Sequence, residues 1–329
     1  MANRILLYNS GGGLGDSIQL IPLILSLKNH FKKTELFYLG AHENHFDNKL
    51  KDYNIKVKTL NLNLKYFGFR WWHLFSVKKQ FLKLKIDKFD LVIDLQTKIR
   101  NTLILKRIPT VNFYSATYKF IFCNIKNKYL STKNISEMTL SNIESFLNTK
   151  INRIAYNMGD IDDVFLKEAK RLLPNNNYVG FSITQGNKYR KKSWPIENFI
   201  QLAKEFEIIK KTPVFFLEKN NKEIADKIKL EVSSAIFPEH QSNLSSPALV
   251  TALSSRLEKA ISIDNGVMHM VSLANTPMVV LFGPTNSEKF APKYKNSIVL
   301  DSKKIYKTKN ISAITVEDAL RAAKQFSNF

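Results

Sequence analysis

Short apolar runs alternate with stretches of helical spacing along the whole chain. Arg4–Tyr8 is an apolar run that ends on a glycine-rich turn, and Ser17–Leu27 then places Ile18, Ile21 and Leu25 at helical spacing. Further runs at Glu35–Leu39, Lys56–Leu60, Phe89–Leu95 and Thr110–Tyr114 predict strands. A second series begins near Tyr178. Strands are predicted at Tyr178–Ile183, Val214–Leu217, Ala260–Ile263 and Met278–Phe282. They alternate with helical stretches at Glu197–Phe206, Lys222–Leu230, Ala248–Ser254 and Val267–Ala274. Strands separated by helices predict parallel, doubly wound sheets. The polar segment Ser141–Pro174, helical in places, reads as the link between the two series. Thr315–Phe326 reads as an amphipathic helix, with Thr315 and Asp318 spaced as a capping box.

The expected architecture is therefore α/β, with two doubly wound, Rossmann-like domains facing across a cleft. The two domains are expected at residues 1–160 and 161–314. Residues 315–329 form a C-terminal helix that packs back on the first domain. Ligands of such sheets bind at the C-terminal ends of the strands, so each domain is expected to hold one substrate.

Composition adds limits. A length of 329 residues with 44% hydrophobic and 24% charged residues is a globular balance, sized for two domains. One cysteine, Cys123, makes no internal disulfide and points to a reducing compartment. No secretory signal is read at the start, and no apolar run reaches the ~18 residues that span a bilayer. A cytoplasmic protein, soluble or peripheral to the inner face of the membrane, is expected. The net charge is +22, from 50 basic and 28 acidic residues. Up to Phe165 there are 25 basic and 13 acidic residues, leaving 25 and 15 beyond, so the excess is spread over the surface. It favours an anionic partner such as a phosphorylated glycolipid or an anionic membrane; a lysine-rich composition is the bland alternative. No helix-turn-helix, zinc-finger or RNA-recognition signature accompanies the charge, so no nucleic-acid partner is expected.

Three segments carry candidate chemistry. Ser10-Gly11-Gly12-Gly13-Leu14-Gly15-Asp16-Ser17 follows the first strand. With Gly11 and Gly13 as the first two glycines of a dinucleotide fingerprint, Asp16 occupies the third, and no Gly-Lys-Ser/Thr of a P-loop is present. A carboxylate there suits a general base facing a hydroxyl; an N-cap for the following helix is the other reading. Lys191-Lys192-Ser193-Trp194-Pro195 follows Ser182-Ile183-Thr184-Gln185-Gly186. A hydroxyl-bearing strand end plus a lysine suits a diphosphate, and a solvated basic loop is the alternative. The third segment, Ser262 to Met270, reads Ser-Ile-Asp-Asn-Gly-Val-Met-His-Met, and a second strand then ends in Gly283-Pro284-Thr285. The N–H groups at Asn265–Val267 would bind a leaving phosphate. Asp264 would hold sugar hydroxyls, and His269 lies one turn along. His42-Glu43-Asn44-His45 matches no metal-ligand pattern, and no acidic pair suits Mg²⁺.

Taken in order, these motifs resemble the bacterial lipopolysaccharide heptosyltransferases, glycosyltransferase family nine, of GT-B fold. The resemblance rests on Gly15-Asp16 followed by Pro22, on Asp94-Leu95-Gln96, on Lys192-Ser193-Trp194-Pro195, and on Asp264 to Thr285. Asn265 stands where the family has Thr or Ser, and Asn275 where it has Gly before Thr-Pro. Glu218-Lys219-Asn220-Asn221 replaces its glycine-rich loop. The resemblance implies an inverting, metal-independent transfer of heptose from ADP-heptose to a lipopolysaccharide inner-core acceptor. Residues 1–160 would be the acceptor-binding domain and 161–314 the nucleotide-sugar-binding domain, and Asp16 would be the catalytic base. Thr184, Gln185, Lys192, Asp264, Asn265, Gly266 and His269 would bind the donor, and Gly12, Gly13, Gln96 and Arg100 the acceptor. No cofactor beyond the donor is implied. Glu218 and Glu223 compete for an acidic contact to the nucleotide. Another nucleotide sugar, or a non-catalytic sugar-nucleotide or glycan-binding protein of the same fold, are the alternatives. Tyr66 to Phe75, with Lys78, Lys79 and Lys83, mixes aromatic and basic residues; it suits a membrane interface or an ordinary helix with a buried aromatic side.

Overall fold

The computed structural model describes residues 4–9, 13–40, 44–65, 68, 70–185 and 192–326. The chain divides into two compact units, Met1–Tyr156 and Asn157–Phe329. In the first, strands β1 (Arg4–Asn9), β2 (Glu35–Gly40), β3 (Lys58–Thr59), β4 (Phe89–Asp94) and β5 (Thr110–Ser115) form a sheet of order β3-β2-β1-β4-β5. In the second, β6 (Tyr178–Ser182), β7 (Thr212–Phe216), β8 (Lys259–Ile263), β9 (Met278–Phe282) and β10 (Ser297–Asp301) form a sheet of order β10-β9-β8-β6-β7. Every pairing is parallel. Both sheets are doubly wound, as the alternation of runs predicts.

The burial explains why the apolar runs were readable. Parallel strands covered on both faces read as near-continuous apolar stretches. β6, β8 and β9 are buried at every position. Val179, Phe181, Ile261, Val279 and Leu281 meet Phe199, Leu202 and Phe206 from the helix Ile196–Ile208. In the first unit Leu6, Tyr8, Phe89, Val92 and Phe113 pack with Val77, Phe81 and Ile104.

The structure departs from these expectations at one helix and one strand. The single helix expected over Ser17–Leu27 is two helices, Leu14–Ile18 and Ile21–His30. Pro22 lies in the first turn of the second, where its missing N–H costs nothing, so it starts a helix rather than continuing one. The link Ser141–Pro174 is helical in places, as expected: it contains the helix Asp163–Leu172 and the end of Ile135–Leu147. The strand β10 was not foreseen. It is an edge strand with only one residue fully buried, and its pattern is correspondingly weak. The C-terminal helix Val316–Lys324 has the expected Thr315–Asp318 capping box, and its buried Ala319, Ala322 and Ala323 belong to the second unit's core.

A buried polar group marks the end of β4. Asp94 is 1% exposed, accepts hydrogen bonds from Thr102 Oγ1 (2.7 Å) and Ser115 Oγ (2.8 Å), and accepts one from the Gln96 N–H (2.9 Å). Burial pushes its carboxyl up to about 6 despite these donors. The folded chain therefore retains a proton that the unfolded chain releases from about pH 4 upward. The stability tied to that proton is present below the ordinary Asp range and is lost as the pH rises through about 6.

Two outcomes are expected. Wild type should gain about 3 kcal/mol of unfolding free energy relative to Asp94→Asn between pH 7 and pH 4, from a shift of about two units at ~1.4 kcal/mol each. Urea unfolding of both proteins across that range checks this, and a pH-independent difference overturns it. The second concerns Gly283, where an added Cβ would stand 2.8 Å from Ile311 Cβ and 3.1 Å from the backbone at Ile311 and Lys309. Backbone cannot swing aside as a side-chain tip can. Gly283→Ala should cost about 1–3 kcal/mol and lower the Tm, with the secondary structure kept.

Candidate functional site

In each sheet, the strands on either side of the order reversal are β1 and β4, and β6 and β8. Connections from such a pair leave toward opposite faces, which opens a crevice at their carboxyl ends. The candidate residues collect at these two places.

In the first unit, Tyr8 is in register with Asp94, so Asn9 and Gln96 emerge side by side. Gly13 is the N-cap of Leu14–Ile18, and no side chain caps that helix. The N-cap reading of Asp16 is thereby corrected: Asp16 lies within the first turn, half-buried, with its N–H donating to Gly13 O at 3.1 Å. Gln19 Nε2 is 3.5 Å from its Oδ1. A carboxylate in a first turn is favoured by the helix dipole. Asn9 fastens this turn. Its Nδ2 donates to the Asp16 carbonyl (3.2 Å) and to Tyr38 Oη (3.3 Å), while its Oδ1 accepts from Gln96 Nε2 (2.7 Å). Ser17 Oγ lies 3.2 Å from the same tyrosine oxygen.

Gly13, Asp16 and Gln96 are thus brought together, with the Gln96 amide nitrogen engaged by Asn9. Asn9 and Tyr38 were missed; the available signal was a polar residue closing an otherwise apolar strand. Arg100, second in the helix Ile99–Leu105, donates from Nε to Gly68 O. Gly68 has φ +80°, and a Cβ there would lie 2.5 Å from Tyr8 Oη, so the position requires glycine. Gly12 lies outside the described residues, as do Ser10 and Gly11.

In the second unit, Ser182 is in register with Ser262. Lys192 Nζ donates to Asp264 Oδ2 at 2.8 Å and to the Asp264 carbonyl at 3.1 Å. Its side chain is 15% exposed and that of Asp264 8%. A pair so shielded holds only with good geometry and additional donors and acceptors. Gln185 Oε1 accepts the Lys192 N–H at 2.7 Å, which sets where the lysine begins. Two residues on, Trp194 is buried, stacks edge-on with Phe199 and donates from Nε1 to Ile314 O at 2.8 Å. Pro195 is the N-cap of Ile196–Ile208. The Trp-Pro step therefore anchors the loop that presents Lys192. Lys191 lies outside the described residues.

Asn265 joins the two strands. Its Oδ1 accepts the Met268 N–H (3.0 Å) as N-cap of the helix Gly266–Leu273, while its Nδ2 donates to Ser182 Oγ (2.7 Å) and Thr184 O (2.8 Å). Thr184, Gln185, Lys192, Asp264, Asn265 and Gly266 thus form one connected group. The N–H groups of Gly266 and Val267 open the helix and have no intrahelical acceptor. His269 lies one turn along and is buried. Burial pushes its imidazole down to about 4, with Asp264 opposing and Lys192 reinforcing the shift, so the ring is neutral at pH 7. It can share a hydrogen bond but adds no charge.

Glu218 and Glu223 are both exposed. A third acid at this end of β7 was not foreseen. Glu239 is half-buried, and burial pushes its carboxyl up to about 7, against the Leu217 N–H and with the charge of Glu218. Among the described residues, no group of three or more His, Cys, Asp or Glu is placed to hold a metal ion. Among the same residues, no helix is long and apolar enough to cross a membrane.

This arrangement can be set beside known proteins. The model of glycosyltransferase family 9 (heptosyltransferase) matches residues 77–320. No curated protein sequence matches the chain. Among solved structures, a family 9 glycosyl transferase from Veillonella parvula is similar at a TM-score of 0.72 and 20% identity, over 98% of this chain and 97% of that one. E. coli heptosyltransferase WaaC, solved with ADP-2-deoxy-2-fluoro heptose, is similar at 0.68 and 15%, over 98% and 99%. E. coli ADP-heptose lps heptosyltransferase II is similar at 0.66 and 13%, over 98% of each chain. At these identities the likeness shows the fold, the GT-B arrangement of two parallel-sheet domains. The family match over most of the length shows more: the chain belongs to glycosyltransferase family 9, the heptosyltransferase family, and is a glycosyltransferase.

Proposed function

We propose that the chain transfers a heptosyl group from ADP-heptose to a lipopolysaccharide inner-core acceptor, with inversion and without a metal. The observation that carries the reading is the connected Lys192–Asp264–Asn265 group at the β6/β8 reversal, beside the open N–H groups of Gly266 and Val267. One ammonium group and a helix N-terminus, both fixed in advance, suit the charge that grows on a departing diphosphate. Support for the adenine nucleotide comes from the WaaC structures, which hold ADP and an ADP-heptose analogue.

On this reading the acceptor hydroxyl attacks the anomeric carbon as its proton passes to the Asp16 carboxylate. The bond from that carbon to the diphosphate oxygen breaks, and ADP leaves with the negative charge. Lys192 and the Gly266 N–H face that charge, Asp264 holds sugar hydroxyls, and neutral His269 offers a hydrogen bond. A donor with another base is the second reading. It is favoured by the loop Glu218-Lys219-Asn220-Asn221, which Lys219 and His240 tie to the turn at residues 238–242 through Ser242 O and Glu218 O. We further read the exposed aromatic and basic residues from Arg70 to Lys83 as a peripheral contact with the anionic inner face of the cytoplasmic membrane, where a phosphorylated glycolipid acceptor would be met.

Two substitutions test the site. Lys192→Ala should abolish most of the thermal shift given by ADP and ADP-heptose; it should also lower the Tm of the free protein, because the shielded Asp264 carboxylate loses its cation, so each shift is read against the mutant's own unliganded Tm. Nucleotide stabilisation scales with log concentration above Kd, so a panel including UDP ranks the bases. A larger shift with UDP than with ADP overturns the donor assignment, and an unchanged ADP shift in the mutant removes Lys192. Asp16→Asn keeps the size and hydrogen-bonding reach and removes the base. It should lower kcat about 10²–10⁴-fold with donor affinity nearly unchanged. Near-normal turnover at normal stability would sink the catalytic assignment.

A further inference from the structure

The helix His73–Leu82 turns His73, Val77 and Phe81 into the first unit's core. Trp71, Trp72, Phe75 and Leu82 are 52%, 62%, 82% and 62% exposed. Positions 71, 75, 78 and 82 recur at helical spacing, with 72 and 79 alongside, so these apolar residues share one outward face with Lys78 and Lys79. Large apolar residues gathered on one exposed face mark an interaction surface, and lysines among them mark an anionic partner.

A cavity of about 370 Å³ adjoins this helix, lined by Lys78, Lys106, Arg107, Pro109, Phe113 and Asn124 among others. Lys106 is fixed in it: its Nζ lies 5.2 Å from the centre of the Phe113 ring and donates to Phe122 O at 3.3 Å. The side chains of Lys78 and Arg107 make no hydrogen bond or ion pair with any described residue. No carboxylate lines the cavity. The chain around it explains why. Residues 53–86 and 95–136 carry eight Lys or Arg each and no Asp or Glu. Three cations against proline and phenylalanine walls match a phosphate group attached to an apolar body. A freely soluble anion would leave the adjoining aromatic face without a role.

We propose that this pocket binds the phosphate of an anionic membrane phospholipid, while the Trp71, Trp72, Phe75 and Leu82 face lies in the boundary between headgroups and acyl chains. Arg107 and Lys78, both in the lining, reach the phosphate oxygens, and the lysine stem follows the apolar surface. The proposal rests on the membrane reading above and deepens it by naming the lipid site.

The test is co-sedimentation of the full chain with phosphatidylcholine vesicles, with and without phosphatidylglycerol. It compares wild type, Lys78→Gln/Arg107→Gln and Lys32→Gln/Lys33→Gln. Both double variants lose the same charge, and the second pair lies outside the pocket. The pocket pair should reduce partition to the phosphatidylglycerol vesicles about tenfold or more, at ~5-fold for each cation in contact with the anionic surface. The control pair should reduce it less than twofold. Equal losses overturn the pocket while leaving membrane attachment by diffuse charge intact. Wild type that fails to sediment with either vesicle overturns the membrane reading and this proposal with it. Glycerol phosphate is the soluble arm. If it raises the Tm of wild type and not of the pocket pair, while phosphatidylglycerol adds nothing to vesicle binding, the site takes a soluble anion and the lipid assignment falls.

Discussion

A parallel sheet covered on both faces has little room for polar groups along its strands, so its chemistry is displaced to the strand ends. In both units this constraint acts most strongly where the strand order reverses. β1 and β4 deliver Asn9 and Gln96 to one such place, and β6 and β8 deliver Ser182 and Asp264 to the other. The two crevices are built differently. In the first, neutral amides and hydroxyls brace a short helical turn that carries a single acid. In the second, an ion pair and a capped helix leave backbone N–H groups facing outward. The division matches the demands of group transfer, since one partner must lose a proton and the other must shed a charged leaving group.

Two departures from the family pattern become intelligible in these terms. A Thr or Ser at position 265 can accept the helix-capping hydrogen bond, but its one proton cannot serve both Ser182 and Thr184. The Asn265 amide does so, and ties the ends of β6 and β8 together through a single side chain. Asn275, which replaces a glycine, has φ +55° just beyond the helix Gly266–Leu273. That left-handed position is one asparagine tolerates better than most residues. Both substitutions keep the local geometry, one by adding a hydrogen bond and the other by retaining a conformation.

Much of this was legible along the chain because fully buried parallel strands write themselves as apolar runs. β9 is legible to the residue, and the capping box at Thr315 and Asp318 could be read by spacing alone. What could not be read is of two kinds. Edge strands such as β10 and the two-residue β3 lack the burial that makes a run distinctive. Partnerships across long separations leave no local trace. Asn9 and Gln96 are 87 residues apart, and Lys192 and Asp264 are 72 apart. The motifs marked Gln96, Lys192 and Asp264 as polar residues at strand ends. Only the fold shows that Gln96 braces a turn and that the lysine and aspartate face each other. Residue 16 was ambiguous because a cap and a first-turn acid differ by the position of one helical boundary.

The Lys192–Asp264 contact also has a kinetic meaning. A lysine already held within 2.8 Å of a carboxylate has given up most of its side-chain freedom before any ligand arrives. On the proposed reading the diphosphate therefore meets an ordered cation, but one it must share with a resident anion. The same aspartate stands ready to reclaim the ammonium once the sugar has gone. Such a built-in competitor weakens the grip on the spent nucleotide as much as on the fresh donor, and so guards against a site that stays clogged by its own product.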